Sequence, residues 1–401
     1  MITLSLNHWL FVMLMFLGPL IITSDVSKRR YVFLFVNIIL YILCIKNVLS
    51  ALGIFIFIFT PYLYIYLRRS VFKLWPIVII MTMIFIYLNG YLFIIESVFS
   101  SKYIVNFQIV GLSYIFFRIL YFLVYIKDDI VDNFSFIDYL NYIFSFWTIM
   151  AGPIQRYNDF MNSFSSQESI IDFTANLKLL HRVANGFIKV FLFGVLCKEI
   201  ADTCYAAMIA RGFGYKKFFA LYYCYPMYVY FNFSGYCDIV IAMAAWAGFK
   251  IPENFNKPYL SRNMIEFWNR WHITLSICVR DLIYQPLLKF LMSGVLSNNV
   301  LIAQYISVFV TFFIVGIWHG TTTNFVIFGL LQGLGMIISM MYKDGMKKLL
   351  GKHKFKNYTQ NNKIALVEIL VCFHFVFYTF IYIEYDFNYL LLWQLKLLYL
   401  Q

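Results

Sequence analysis

Charged residues are scarce in this chain. Only 13% of its 401 residues are Asp, Glu, Lys or Arg, and 62% are hydrophobic, whereas about 25% of the residues in an ordinary soluble domain are charged. Uncharged runs of about 18 residues or more recur along the sequence, and each is long enough to cross about 30 Å of hydrocarbon as a helix. The shortage of charge excludes a soluble globular domain and predicts an all-α polytopic membrane protein.

Several sequence patterns are absent, and each absence excludes a class of protein. No alternation of polar and apolar residues over about ten positions is present, which excludes an outer-membrane barrel. The chain also has no GxxxxGKS/T phosphate loop, no HExxH metal motif and no GxSxG nucleophile elbow. Its seven cysteines are scattered without a CxxC pair. We interpret the cysteines as small apolar core residues and expect no bound metal.

The positive charge that is present lies mainly in short loops between apolar runs. The formal net charge is +13, and Lys and Arg in such loops set the orientation of membrane helices. We expect a multi-pass protein of the cell (cytoplasmic) membrane whose partner is the lipid bilayer, and no binding of nucleic acid. The basic loops at residues 28–30 and 68–73 are two crossings apart. Both are predicted to be cytoplasmic, with the N-terminus on the other side.

The apolar runs predict about eleven crossings in one domain that covers residues 1–401. Residues 155–178 have the spacing of an amphipathic surface helix, and residues 218–249 are long enough for two tilted or broken helices. No internal repeat is present. The apolar runs are residues 9–23, 31–49, 51–67, 74–95, 104–126, 139–154, 187–207, 218–249, 300–318, 324–342 and 364–400.

A polar stretch interrupts these runs from Asn254 onwards, and the chain returns to an apolar span that ends at Gly320. Charged groups near membrane depth are costly and are usually kept for function. Two histidines, His272 and His319, lie 319 − 272 = 47 residues apart, and each directly follows a tryptophan. Imidazole titrates nearest to neutral pH, so this pair is our prediction for acid–base chemistry.

Each histidine also has a plainer interpretation. The run from Asn269 to His272, together with the charge pair Arg280-Asp281, is also typical of an interfacial helix with Arg and Trp at the headgroup level. His319 follows a long uncharged run between Gly316 and Gly320, and a lone histidine there is also compatible with a packing role. His374 lies in an apolar run without polar neighbours in sequence, and we predict that it only packs.

Several blocks resemble one family of membrane enzymes. They are AGPIQRYNDF, YFNFSGYCDIVIA, PENFNKPYLS, FWNRWHITLSICVRD and GIWHGTTTNFVIFGLLQG, which lie between about residues 150 and 335. Together they are similar to the signature of the membrane-bound O-acyltransferase (MBOAT) family. The likeness is to its bacterial branch, which contains the alginate and peptidoglycan O-acetylation proteins and the D-alanyl transfer protein of teichoic acids.

The resemblance implies a fold, a reaction and a set of site residues. It implies about eleven helices ringed around a central funnel that opens to the cytoplasm. It also implies that His319, in the WHG block, is catalytic and that His272, in the RWH block, acts with it. We expect the flanking polar and aromatic residues to bind or orient substrates, and Arg280 and Asp281 to form a buried pair. The flanking residues are Asn269, Arg270, Trp271, Arg280, Asp281 and Trp318.

The implied reaction moves an acyl group from a cytoplasmic thioester to a hydroxyl of an envelope polysaccharide outside the membrane. No tightly bound cofactor is implied, and the donor is acetyl-CoA or an acylated carrier protein. The outer partner is the glycan itself or a secreted partner acyltransferase. PENFNKPYLS and SGYCD resemble the acetylation proteins, whereas FWNRWHITLS and the short chain resemble the D-alanyl transfer protein. We favour acetyl transfer and keep D-alanyl transfer as the alternative.

A transporter or flippase is the alternative from another class, because intramembrane His and Arg also line substrate paths. Such proteins commonly carry repeats with broken helices in matching positions of two halves. Neither feature is evident in this sequence, which favours the enzyme.

Overall fold

The computed structural model describes most of the chain as helix. It describes residues 26–45, 47–67, 73–91, 109–127, 135–149, 151–165, 173–320, 322–386 and 388–392. Within these ranges there is no strand, and the only β-type pairing is an isolated antiparallel bridge between Phe255 and Trp271. The predicted all-α class is confirmed for this part of the chain.

Five described helices are long and apolar enough to cross a membrane. Two shorter apolar helices accompany them, Leu74–Leu88 and Leu112–Val124. The predicted number of about eleven crossings is therefore not confirmed, and the first predicted run, residues 9–23, lies outside the described residues. The five candidate spans are Val48–Leu67, Thr174–Arg211, Val300–His319, Thr323–Gln360 and Asn362–Ile383.

The chain divides into two compact units. The first consists of the described residues of Met1–Phe187 together with Gly235–Glu253. Its buried Arg118 donates hydrogen bonds to the backbone carbonyls of Tyr142 (3.2 Å) and Ile143 (2.8 Å). These carbonyls lie at the C-terminal end of the helix Phe136–Phe144. A cation is favourable at that end of a helix. The helices that begin in this unit are α1 Val26–Cys44, α2 Val48–Leu67, α3 Leu74–Leu88, α4 Leu112–Lys127, α5 Phe136–Phe144, α6 Tyr157–Ser165 and α7 Phe173–Phe187.

Two sequence predictions differ from the observed helices. The single surface helix expected over residues 155–178 is described as two helices, α6 and α7, with residues 166–172 between them outside the described part. The expected break within residues 218–249 does not occur, because Tyr215–Trp246 is one helix of 32 residues that contains Pro226. A membrane helix tolerates proline where neighbouring groups satisfy the freed backbone.

The second unit consists of Ile188–Ser234 and Asn254–Gln401. Its aromatic core surrounds the polar stretch that the sequence singles out, with Phe267, Trp268 and Trp271 all buried. The helices that begin in this unit are α8 Val195–Arg211, α9 Tyr215–Trp246, α10 Met264–Arg270, α11 Ile273–Val279, α12 Gln285–Ser293, α13 Val300–His319, α14 Thr323–Gln360 and α15 Asn362–Phe380.

The polar stretch forms short helices and no span. Helices α10 and α11 have seven residues each and α12 has nine, too few to cross about 30 Å of hydrocarbon. A π-helical turn, Arg280–Tyr284, joins α11 to α12. The Asn263 side chain caps the start of α10 by accepting a hydrogen bond from the backbone N–H of Glu266 (2.9 Å).

Glycines allow α13 and α14 to approach closely. A Cβ placed on Gly329 would lie 2.5 Å from the carbonyl oxygen of Phe312 and 2.8 Å from the Cα of Gly316. A Cβ on Gly316 would lie 2.6 Å from the carbonyl oxygen of Phe325. Both obstacles are backbone atoms, which cannot rotate away. The crossing of these helices therefore requires glycine at both positions, and it fixes the end of α13 where His319 lies.

We expect Gly329→Ala to destabilise the protein and Gly345→Ala to leave it intact. The added methyl at residue 329 meets backbone within 3 Å, and overpacking of this kind costs about 1–3 kcal/mol. Gly345 lies on the same helix, where an added Cβ meets nothing within 4 Å, so alanine there should be neutral or stabilising. Melting curves of the two detergent-solubilised variants test this. Equal melting temperatures would contradict the close crossing.

Candidate functional site

The turn between α10 and α11 carries His272 and is held by residues 254–256. The backbone N–H of Asn256 donates to the carbonyl of Arg270 (2.9 Å), and that of Ile273 donates to the carbonyl of Asn254 (3.0 Å). His272 itself has φ +44° and ψ +52°, in the left-handed region. This conformation is uncommon for a residue other than glycine, and it persists only where the surrounding contacts impose it.

The Asn254 side chain supplies those contacts through one oxygen. Its Oδ1 accepts hydrogen bonds from the Thr274 backbone N–H (3.1 Å) and hydroxyl (2.9 Å), and it lies 3.2 Å from Nδ1 of His272. A backbone N–H can only donate, so the atom at the centre of this cluster is the carbonyl oxygen and not the amide nitrogen. Nδ1 of His272 must therefore carry the hydrogen. In the neutral imidazole, Nε2 is left as an acceptor.

His272 is kept neutral by its surroundings. Its side chain is buried, and the Phe233 ring lies nearly perpendicular to it at a centroid distance of 4.7 Å. His272 lies outside the candidate membrane spans. Burial, followed by the charge of a protonated His319, lowers the pKa of His272 to about 3.

His319 is the last residue of α13, and its side chain is exposed. Its ring lies against Trp318 (4.5 Å between centroids) and is stacked with Phe325 at 6.3 Å. A Cβ on Gly320 would meet the Phe325 ring, which packs against the backbone at the end of α13. Neither ring nitrogen of His319 has a hydrogen-bond partner in the part of the chain that the structure describes. The imidazole is thus accessible to a substrate.

An apolar cavity of about 280 Å³ lies on the face of α13 that leads to His319. Val308, Thr311 and Val315 line it at spacings of three and four residues, and His319 continues this helix face one turn further. The opposite wall is formed by residues of α10, α11 and the π turn, with Met336 and Met340 from α14. Those facing residues are Ile265, Trp268, Asn269, Leu275, Ser276, Val279, Arg280 and Tyr284.

Two of the six predicted substrate residues line this cavity, and the other four, Arg270, Trp271, Asp281 and Trp318, are not among its lining residues. Asn269 and Arg280 are in its wall. Trp271 is instead buried in the aromatic core, 5.0 Å from both the Phe255 and the Phe380 ring centroids. Arg270 pairs with Glu266 one turn before it. Trp271 therefore packs, and Arg270 is neutralised on its own helix.

Arg280 and Asp281 form the predicted pair, but the pair is not buried. Nε of Arg280 lies 3.1 Å from Oδ1 of Asp281, and the Arg280 side chain is 52% exposed. Ion pairs with this exposure contribute about 0–1 kcal/mol, because water screens them. The contact between these two side chains alone therefore contributes little to stability, and the anchoring role stays a prediction.

His374 has a polar partner that the sequence does not reveal. The Tyr222 hydroxyl lies 3.0 Å from Nδ1 of His374 and donates to the His374 carbonyl (2.9 Å). The two rings are also stacked at 6.0 Å. The predicted packing role of His374 therefore includes a hydrogen bond between α9 and α15.

Sequence reasoning missed Asn254, Thr274, Trp268 and Thr311 as residues of this site. Asn254 occurs in the PENFNKPYLS block, but no local pattern indicates that its side chain reaches residues 18 and 20 positions later. Among the described residues, no three His, Cys, Asp or Glu side chains are grouped to hold a metal ion.

Comparison with known proteins gives a family match over most of the chain. The sequence model of the membrane-bound O-acyltransferase family (MBOAT) matches residues 92–383. This range includes both histidines and every lining residue of the cavity.

Individual relatives have different activities. The chain is 29% identical to a teichoic acid D-alanyltransferase of Bacillus subtilis over 275 residues, 67% of each chain. It is 32% identical to a probable alginate O-acetylase of Pseudomonas syringae over 232 residues, 57% of this chain and 42% of the relative. It is also 32% identical to a peptidoglycan O-acetyltransferase of Helicobacter pylori, over 53% of this chain and 39% of the relative.

We expect Asn254→Leu to destabilise the turn that carries His272. The substitution removes the acceptor of three hydrogen bonds, and each buried donor left unpaired costs about 1–3 kcal/mol. Asn254→Asp keeps an acceptor oxygen and should melt at a higher temperature than Asn254→Leu. Asn256→Leu is the matched control, because the Asn256 side chain is exposed. Melting temperatures of the variants are measured in detergent. An equal decrease in melting temperature for Asn254→Leu and Asn256→Leu would contradict the role of the Asn254 side chain in the turn.

Proposed function

The chain belongs to the membrane-bound O-acyltransferase family, and on that premise we propose that it transfers an acetyl group from a cytoplasmic thioester to a hydroxyl of a cell-envelope polysaccharide outside the membrane. Its location is the cytoplasmic membrane. The thioester donor is acetyl-CoA, and the acceptor is the envelope glycan or a secreted partner acyltransferase.

One observation carries this proposal: an apolar cavity lies along the face of α13 on which His319 follows one turn beyond the last lining residue, Val315. A thioester donor presents a long, flexible arm that ends in a small acyl group. The cavity of about 280 Å³ is close to the lower end of the range for small-molecule sites, about 300–1,000 Å³. An arm lying along Val308, Thr311 and Val315 brings its acyl end to His319, one helical turn further on.

The chemistry needs a base and a positioned hydroxyl, and no metal. His319 accepts the proton of the acceptor hydroxyl while the hydroxyl oxygen attacks the thioester carbonyl. The carbon–sulfur bond then breaks, and the thiolate leaves with the proton that His319 returns. The products are an ester and a free thiol, and the imidazole is neutral again. Nε2 of His272 accepts a hydrogen bond that orients the acceptor, because Asn254 holds Nδ1 as a donor.

The lining of the cavity favours acetyl over D-alanyl. Among the described residues that line it, Arg280 is the one charged side chain and none is a carboxylate. A D-alanyl group carries an ammonium ion, which needs an opposite charge when it is taken out of water. An acetyl group is neutral and needs none. The lining is therefore compatible with a neutral acyl group.

D-alanyl transfer to teichoic acid is the second candidate. The observation in its favour is the match to the teichoic acid D-alanyltransferase of Bacillus subtilis, which covers 67% of both chains, more of the relative than the acetylating proteins share. In this case the donor is an aminoacyl carrier protein.

Chemical analysis of the cell envelope separates these candidates. Mild alkali releases ester-linked groups, so envelope polymers from a strain lacking this gene are compared with those from the parent strain. We expect the mutant to lose ester-linked acetate and to keep D-alanine. Loss of D-alanine instead would establish the second candidate. If neither group changes while export of a glycan or lipid stops, the protein is a transporter and both acyl-transfer proposals are wrong.

We expect His319→Ala and His319→Gln to abolish activity without loss of protein. Removal of a positioned base lowers rates by about 10²–10⁴, and glutamine keeps hydrogen bonding but cannot take up a proton. His374→Ala is the control, since this histidine packs against Tyr222 in another part of the unit. Ester content of the envelope and membrane protein level are measured for each variant in the deletion strain. Full activity of His319→Gln at normal abundance would remove the catalytic assignment.

A further inference from the structure

The end of α14 is strongly basic. Residues 343–356, named the basic segment below, contain six lysines and one aspartate, a net charge of 6 − 1 = +5 with His353 neutral. All six lysine side chains are exposed, and none has an ion-pair or hydrogen-bond partner among the described residues. A cluster of this size without neutralising acids is available to bind anions. The lysines are Lys343, Lys347, Lys348, Lys352, Lys354 and Lys356.

The basic segment lies where the chain leaves one candidate span and enters the next. The part of α14 that precedes the kink at Gly351, residues 323–350, has 28 residues, about 42 Å at 1.5 Å per residue, which exceeds the roughly 30 Å of hydrocarbon. Its lysine-rich end must therefore lie beyond the apolar layer. Since α15 begins at Asn362, directly after it, the basic segment is held near the membrane surface on both sides.

The backbone bends within the segment and is tied at its base. Gly351 has φ +71°, a left-handed conformation that interrupts the helix and that glycine adopts without strain. The hydroxyls of Tyr342 and Tyr358 are hydrogen-bonded, and Arg262 donates to the Thr359 carbonyl (2.5 Å). These contacts fix the two ends of the basic segment. The six exposed lysines lie between these two fixed ends.

An exposed apolar side chain stands among the lysines. Leu349 is 78% exposed and directly follows Lys347 and Lys348. Leucine beside lysine is typical of segments that insert an apolar side chain below the headgroups while the ammonium groups remain at the phosphates. A position exposed to water does not require leucine, because a polar side chain there would not destabilise the fold.

We propose that the basic segment binds the phosphate groups of anionic phospholipids at the membrane surface, with Leu349 inserted among the acyl chains. Clusters of four to eight basic residues next to a membrane helix bind anionic headgroups in this way. Lysine is a flexible point charge that suits a fluid array of phosphates, whereas protein interfaces are enriched in arginine and aromatic residues and depleted in lysine. An acidic protein is the other conceivable occupant, and the test below distinguishes it. The proposal is independent of the acyl-transfer activity.

Hydrogen exchange in lipid nanodiscs tests the proposal on the full-length protein. Backbone amides of residues 343–356 should exchange more slowly in discs that contain phosphatidylglycerol than in discs of phosphatidylcholine alone. High salt should remove the difference. Equal exchange in the two lipids would overturn the proposal. Protection that develops only when an acidic carrier protein is added, and not with phosphatidylglycerol, would assign the basic segment to a protein partner instead.

A triple variant measures the contribution of the charge. Each lysine at a membrane surface strengthens binding by about fivefold, so Lys347→Gln, Lys348→Gln and Lys352→Gln together should weaken binding of short-chain phosphatidylglycerol by about a hundredfold. The matched control removes three exposed lysines elsewhere, by Lys178→Gln, Lys216→Gln and Lys289→Gln, and should bind normally. If both variants lose the same affinity for phosphatidylglycerol, the effect comes from net charge alone and the proposed site is wrong. Inorganic phosphate should not compete, and full competition would indicate a phosphate site without lipid.

Discussion

A single carboxamide oxygen, Oδ1 of Asn254, determines the geometry on which the site depends. It accepts from the backbone and hydroxyl of Thr274 and from Nδ1 of His272. In an apolar surrounding, each of these donors would cost free energy if it were left unpaired. The oxygen therefore stabilises the left-handed backbone of His272 and selects its tautomer at the same time. A structural requirement of the fold, that buried donors be paired, thus decides which ring nitrogen is left for chemistry.

His319 is positioned by a different constraint, the close contact of two helix backbones. Gly316 and Gly329 meet without side chains, so α13 and α14 lie close together near the end of α13. This steric constraint fixes the backbone of His319 but leaves its ring accessible. His272 is buried, neutral and hydrogen-bonded, whereas the His319 side chain is exposed. This difference in environment suits the two proposed roles, His272 as an orienting group and His319 as the base.

Hydropathy predicted helix α13 well, because the local sequence is enough to determine that helix. Residues 300–318 were predicted as a run, and α13 is Val300–His319, because about 20 apolar residues satisfy the backbone within one helix. The polar stretch could not be predicted in the same way. Its helices have only seven to nine residues and depend on tertiary contacts. Trp271, which directly precedes His272, is buried in the aromatic core, a position that depends on partners distant in sequence.

The placement of charge in the second unit follows from the cost of desolvation. Two arginines of the second unit have carboxylate partners, Arg262 with Glu368 and Arg270 with Glu266, and all four side chains are no more than about one third exposed. An unpaired cation at such a partly buried position would lose hydration without compensation. The lysines of the basic segment have no such partners among the described residues and are all exposed. Unpaired charge therefore lies where water can compensate it, whereas the partly buried Arg262 and Arg270 are each compensated by a carboxylate.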